Sequence, residues 1–202
     1  MDKKEAQALV DRYYKIELLR KSDISEHLPI LLRLLNECSS AYEFGIRGVV
    51  STWAFLKSSV DKIISVDIRN PHDLEGWDQT PKSLLLLHEL ADALEKEFSF
   101  WNQSTLDIEI EETDFLFIDT WHCYDHLKAE LDLHASKVKK YIALHDVVLF
   151  AHKGESHYGD KTKHYEGMQR AIDEFLEGNP NWEIHEWHTN DPNGLGVLKR
   201  ND

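Results

Sequence analysis

The chain has 202 residues, 42% of them hydrophobic, with six Trp and a formal net charge of −14. That length and apolar content suit a single packed domain and exclude a disordered chain. The acidic balance argues against broad nucleic-acid or anionic-membrane binding, and no apolar run is long enough for a membrane span.

In chain order, residues 2 to 21 predict a helix, with Leu9, Val10, Tyr13, Ile16 and Leu19 near helical spacing. We separate residues 1–22 as an N-terminal helix from a main domain spanning 23–202. Ser22 and Asp23 offer a capping signal, and a second helix is expected from His27 through Pro29 to Cys38. A short strand near Ala41 to Phe44 leads into Gly45 and Gly48, then into an apolar helix that starts at Ser51 and Thr52. Glycine in such a turn permits positive φ and close approach of a ligand, and the new helix offers free N–H groups. The spacing Glu43-x-Gly45-x-x-Gly48-x-x-Ser51 is not the dinucleotide pattern and lacks a P-loop Lys, so a plain glycine turn is the competing reading.

Lys62 to Asp67 predicts a buried strand ending on a carboxylate, which makes a right-handed βαβ unit with parallel strands. Residues 81 to 96 predict a helix, Phe98 to Trp101 a short strand, and Asn102-Gln103-Ser104 the loop after it. Residues 114 to 119 and 141 to 146 are apolar on both faces, as central parallel strands are. A helix is expected between them over 122 to 136. Residues 147 to 164 predict a long polar loop with His152 and His157, ending beside His164, a length typical of lids and substrate-binding segments. A helix over 165 to 178 and two strands joined at Asn190-Asp191-Pro192-Asn193 complete the chain. The charged start shows no signal-peptide core, and Cys38 and Cys123 form neither a disulfide framework nor a zinc site. A cytoplasmic protein with reduced thiols is therefore expected. Six Trp and the N-terminal helix leave room for a homodimer.

This alternation predicts an α/β fold, an open three-layer sandwich whose sheet is parallel except near one edge. Ligands of such sheets bind at the carboxyl ends of the strands, where Glu43, Asp67, Asp119 and the pair His145-Asp146 recur. Each carboxylate has a bland alternative as a helix cap.

Glu43 to Ser51 is similar to the first signature of class I S-adenosylmethionine-dependent methyltransferases, and Asp67 sits where that fold carries its second acidic residue. The stretch Phe117-Ile118-Asp119-Thr120-Trp121-His122-Cys123-Tyr124, followed by Leu144-His145-Asp146, resembles the branch holding macrocin-type O-methyltransferases and cephalosporin-hydroxylase-like proteins. The chain departs from that branch where relatives carry Glu-Asp, here His145-Asp146, and where Val138-Lys139-Lys140 replaces Gly-Gly. The resemblance covers residues 23 to 200. It implies a seven-stranded, mostly parallel sheet with an antiparallel last strand, and O-methylation of a small hydroxylated acceptor such as a sugar or secondary metabolite. It places Glu43, Gly45, Gly48, Ser51 and Thr52 at the methionine part of S-adenosylmethionine, Asp67 at the ribose, Gln103 and Ser104 beside the adenine, and Asp119 at the reacting centre. It also implies a divalent cation, Mg²⁺ or another, held by Asp119, His145 and Asp146. Three residues beyond Asp119, a neutral His122 is the expected general base, with helix capping as its alternative. Trp121 is expected to pack on the following helix, and His126 and His134 receive no role. The histidines of the polar loop are read as solvated. Competing functions are a nicotinamide-dependent oxidoreductase and a non-catalytic protein that keeps the fold.

Overall fold

A computed structural model describes residues 1–71, 81, 83–156 and 159–201. Parts of the expected 81–96 helix and of the polar loop, including His157, lie outside the described residues. The elements are α1 (Lys3–Arg20), α2 (Leu28–Leu35), β1 (Ser40–Phe44), α3 (Thr52–Lys57), β2 (Lys62–Val66), α4 (Leu84–Ala93) and β3 (Glu97–Trp101). They continue with β4 (Thr113–Ile118), α5 (Tyr124–His134), β5 (Val138–His145), α6 (Gln169–Gly178), β6 (Trp182–His188) and β7 (Leu195–Arg200). The sheet has seven strands in the order β3-β2-β1-β4-β5-β7-β6. β7 runs antiparallel to both β5 and β6, while the pairings from β3 across to β5 are all parallel.

Strand periodicity sorts the core into two layers. Ala41, Phe115, Phe117, Tyr141 and Ala143 face the layer that holds α1 to α4, with Trp53 and Phe55 fully buried. Tyr42, Phe44, Leu116, Ile118, Ile142 and Leu144 face the layer of α5 and α6. Full burial of each large apolar side chain is worth roughly 1.5–3 kcal/mol. α1 belongs to the first of these cores: Ala6, Val10 and Tyr14 are buried in it, Tyr13 packs on Trp53 with ring centroids 4.7 Å apart, and Lys57 pairs with Asp11. α1 starts with a capping box between Asp2 and Glu5 and ends at Lys21 in the left-handed region (φ 59°).

Several boundaries differ from expectation, among them the starts of β5 and α6. β5 starts at Val138, so the stretch that replaces the relatives' Gly-Gly is strand, aligned on Thr113. α6 starts at Gln169 rather than Tyr165, because Glu166 forms an antiparallel bridge with Lys153 and holds the preceding segment extended. Among the described residues, no helix is long and apolar enough to cross a membrane.

Candidate functional site

Register sets the site. Phe44 lies level with Val66 and Ile118, and Ile118 with Leu144. The next residues, Gly45, Asp67, Asp119 and His145, therefore share one edge of the sheet. The Gly45 N–H donates to the Val66 carbonyl at 2.8 Å and the Asp119 N–H to that of Phe44 at 2.9 Å, which extends the ladder one step past the strands. Gly45 has φ 86°, and a Cβ built there would lie 2.0 Å from the Asp119 carbonyl oxygen. Only glycine fits a turn pressed this closely on its neighbour.

Glu43 is fully buried behind that turn rather than in a cavity wall. Its carboxylate accepts from the hydroxyls of Ser51 (2.6 Å), Thr52 (3.0 Å) and Ser65 (2.6 Å). Burial pushes its pKa up to about 7 against the pull of these three donors. The network ties the end of β1 to the start of α3 and to β2, so Glu43, Ser51 and Thr52 shape the turn from within. Asp67 also clamps it: its carboxylate accepts from the backbone N–H groups of Ile46 (3.0 Å), Arg47 (2.9 Å) and Arg69 (2.8 Å). Of roughly four lone-pair positions on a carboxylate, about one remains for a ligand.

Next to this turn is a cavity of about 290 Å³ lined by Gly45, Asp67, Gln103, Ser104, Asp119 and Trp121, among others. Five of the residues expected from sequence thus meet at one cavity, and Glu43, Gly48, Ser51 and Thr52 are not on its wall. Thr105, Thr120 and His126 also line it, which sequence reading missed. They belong to a second buried carboxylate network, in which Glu130 accepts from the Thr105 hydroxyl (2.6 Å) and the Thr120 hydroxyl (2.9 Å) and lies 3.3 Å from His126. The i, i+4 spacing of His126 and Glu130 was the available signal. His134 is a core residue that meets the Thr105 carbonyl at 2.8 Å.

Beyond Asp119 the cavity wall becomes a cluster of four. One ligand-type atom from each of Asp119, His122, His145 and Asp146 lies within 4.8 Å of the others. Asp119 Oδ1 is 3.1 Å from His122 Nε2 and 3.2 Å from His145 Nδ1, and Asp146 Oδ2 is 3.4 Å from His122 Nε2. The far ring nitrogens are also engaged: His122 Nδ1 meets Glu155 at 3.0 Å, and His145 Nε2 meets the Asp23 carbonyl at 3.2 Å. Burial disfavours charge on His122, but the hydrogen bonds from Asp119 and Glu155 outweigh it and raise its pKa to about 10. His145 is raised for the same reason, burial being overcome chiefly by Asp119. Burial pushes Asp119 up, yet the two imidazoles hold it well below the carboxylate range, whereas burial keeps Asp146 raised.

No protein-family model matches the chain, and no curated protein matches it. Solved structures do. An O-methyltransferase from Bacillus cereus, in complex with S-adenosylhomocysteine, has TM-score 0.59 at 14% identity over 96% of this chain and 91% of its own. The O-methyltransferase TomG from Streptomyces achromogenes, in complex with S-adenosylmethionine, has TM-score 0.59 at 14% identity over 98% and 90%. A Burkholderia thailandensis N1-methyltransferase, with 1,6-didemethyltoxoflavin and S-adenosylhomocysteine bound, has TM-score 0.62 at 12% identity over 90% and 80%. The fold is that of the class I methyltransferases.

Within a methyltransferase fold, Asp119 is the residue the cavity and the cluster share. The expected neutral His122 does not hold in this environment. Whether a proton or a cation occupies Nε2, its lone pair is taken, so the side chain is not a free general base. Outer contacts fix the cluster further. Phe150 stacks on His122 (5.0 Å, 8°), the His27 ring meets His145 edge-on (5.2 Å), and Asn193 donates to Asp146 at 2.5 Å. His27 in turn meets Asp191 at 2.8 Å, so the turn between β6 and β7 braces the cluster twice. Trp121 does pack on the following helix, its ring 5.9 Å from that of His126, and meets Tyr165 edge-on at 5.0 Å, but it also faces the cavity. His152 and His164 are exposed, in keeping with a solvated loop.

Proposed function

We propose that the protein transfers a methyl group from S-adenosylmethionine to a hydroxyl of a small acceptor, with a divalent cation at the four-residue cluster. The observation that carries this reading is Asp119, one carboxylate shared by a cavity at the switch edge of the sheet and by a converging His/Asp cluster. Gly45 lets the donor's methionine part approach the backbone, Asp67 offers its remaining acceptor position to the ribose, and Gln103, Ser104 and Thr105 flank the adenine.

The donor supplies an activated methyl on a sulfonium; transfer breaks the S–C bond, forms an O–C bond and leaves a neutral thioether, while the acceptor oxygen loses its proton. Two carboxylates and two imidazoles fit a divalent cation, which when bound would acidify and orient a hydroxyl. With both imidazoles committed, Asp119 and Asp146 are the chain's acceptors near that proton. Alignment of oxygen, methyl and sulfur contributes much of the rate, and Asp119 fixes both partners relative to each other.

An open groove of about 580 Å³ lies across His122 from the cofactor cavity, lined by Leu149, Phe150, Lys153, Glu155 and Lys161, among others. Phe150 and Glu155 both touch His122, and neither lysine has an ion-pair partner among the described residues. We infer that the acceptor enters there and that acidic acceptors are favoured over neutral analogues.

Calorimetry with S-adenosylmethionine, S-adenosylhomocysteine and NAD, followed by release of S-adenosylhomocysteine on an acceptor panel of hydroxy acids and their esters, tests the whole reading. Binding of NAD in place of the sulfonium would favour the oxidoreductase. Binding without turnover across the panel would leave a non-catalytic fold.

A further inference from the structure

The cluster's chemistry says more about its occupant than the resemblance does. That resemblance implies a hard cation such as Mg²⁺, which takes oxygen ligands and keeps near-octahedral geometry. Half of the atoms converging here are imidazole nitrogens. Imidazole suits Mn²⁺ poorly to moderately and the later ions Fe²⁺, Co²⁺, Ni²⁺ and Zn²⁺ well.

The contacts behind the imidazoles decide which nitrogen faces inward. A backbone carbonyl only accepts, so His145 Nε2, 3.2 Å from the Asp23 oxygen, must be the nitrogen that carries hydrogen. Its Nδ1 then points at Asp119 Oδ1, 3.2 Å away. An ionised carboxylate likewise only accepts, and His122 meets one on each side, Glu155 at Nδ1 and Asp119 and Asp146 at Nε2, so it carries hydrogen at Nδ1 and either a second hydrogen or a cation at Nε2. The two carboxylates repel each other unless positive charge, on imidazole protons or on a cation, sits between them. A cation that displaces the inward-facing protons would meet two imidazole lone pairs and two carboxylates. A carboxylate or carbonyl behind each histidine is also the arrangement that orients metal-bound imidazole.

The four groups come from two neighbouring strand ends, those of β4 and β5, and are held in place. Asp119 follows β4 and is fixed by the Gly45 contact, and His122 is stacked on Phe150. His145 ends β5 and lies 1% exposed, while Asp146 sits in the left-handed region (φ 60°) under the Asn193 amide. A non-glycine residue in that region at a cluster of this kind is strain held by its surroundings.

We propose that Asp119, His122, His145 and Asp146 form a site selective for a divalent first-row transition ion over Mg²⁺ and Ca²⁺, with Glu155 and the Asp23 carbonyl setting its two imidazoles. This deepens the methyl-transfer reading but rests only on its cation, and it can be tested with neither cofactor nor acceptor present. In it, His122 is a ligand, and Glu155 and Asp23 are positioning residues. The competing occupant is protons, which would make the cluster a closed ion-pair network.

The test is titration of chelator-stripped protein with Co²⁺, read by its visible ligand-field bands, then competition with Zn²⁺ and Mg²⁺. Stoichiometric Co²⁺ binding is expected, displaced by Zn²⁺ and retained under about 100-fold excess Mg²⁺. His122→Ala and His145→Ala should each weaken Co²⁺ binding by about 100-fold or more, and Glu155→Gln by roughly 10- to 100-fold with the bands shifted. Glu155→Gln keeps shape and one acceptor, so it reports even where a histidine variant fails to fold. Absence of Co²⁺ binding, preference for Mg²⁺, or a folded His122→Ala protein with unchanged Co²⁺ affinity would overturn the proposal. Protein that takes Co²⁺ but not S-adenosylmethionine would refute methyl transfer and leave this site standing, and the converse would refute the site alone.

Discussion

Glu43 and Asp119 belong to neighbouring strands, Glu43 fully buried within β1 and Asp119 half-buried just past β4, and their surroundings answer the cost of taking a carboxylate from water in opposite ways. Glu43 is met by three hydroxyls from its own neighbourhood, so the group is satisfied and has no direction left to offer a ligand. Asp119 faces two imidazoles and a second carboxylate, and part of its surface opens onto a cavity. The first arrangement builds a turn; the second gathers two imidazoles and two carboxylates beside a cavity. Both look the same in sequence, as an acidic residue at the end of an apolar strand. What separates them is the company each keeps, and buried polar groups are defined by their partners.

The hardest test of this contrast is the contact that joins the two strand ends. Gly45→Ala places a Cβ on the Asp119 carbonyl and forces a left-handed alanine, with an expected loss of about 2–5 kcal/mol in stability. Chemical denaturation measures it, and a loss below about 1 kcal/mol would mean the turn and β4 are not pressed together. Asp119→Ala comes next. Turnover should fall about 10²–10³-fold, the scale for a group aimed at developing charge, and cation and cofactor affinities should fall together. Retention of either affinity would show that the cavity and the cluster are separable.

Asp67→Ala has a smaller effect that sharpens the comparison from the cofactor side. Losing a charged acceptor should weaken S-adenosylmethionine binding by roughly 1.5–3 kcal/mol, and the melting temperature should drop as well, because three backbone N–H groups lose their partner. A lower melting temperature with unchanged affinity would leave Asp67 as a clamp alone.

Glu43 gives the gentlest signal, in pH. Its folded-state carboxyl holds a proton up to about pH 7, whereas an unfolded one releases it near 4.5. The native state binds more protons across that window, so stability falls as pH rises through it, by at most about 1.4 kcal/mol per pH unit, and levels off above 7. Glu43→Gln should flatten the slope and be the more stable protein at pH 8. Parallel wild-type and variant curves from pH 4.5 to 8 would show that Glu43 is ionised throughout.

Much of the fold was legible because strand burial on both faces leaves long apolar runs, as at Phe115 to Ile118 and Ile142 to Leu144. The strand-end positions Asp67, Asp119 and His145 followed from the same alternation, since register places consecutive strand ends side by side. Less was legible where partners are distant. His145 meets a backbone carbonyl 122 positions earlier, and a carbonyl leaves no trace in residue type. Glu155 lies in a loop read as solvated, 33 positions from His122, and no spacing rule joins them. His122 was read as neutral because three residues after Asp119 says nothing of Glu155 behind it. Glu43 is placed at the cofactor by the resemblance alone, and residue type does not show that Ser51, Thr52 and Ser65 satisfy its carboxylate from within. His126 was set aside as facing away from the strand end, yet Glu130 and Thr120 draw the start of α5 against the cavity.

The position of β7 has a consequence for how the molecule is assembled. Among the described residues β6 is paired with β7 alone, and β7 lies between it and β5, so β6 is synthesised before the strand that attaches it to the sheet exists. The β5–β7 pairing joins residues far apart in the chain, His145 with Leu195, and non-local pairing of this kind is slow to form. The turn that ties β6 to β7 also carries Asn193 and Asp191, the braces on Asp146 and His27. The residues of the glycine turn and of the cavity beside it are thus all synthesised before the final hairpin, whereas the His/Asp cluster receives Asp191 and Asn193 as supports only when that hairpin docks.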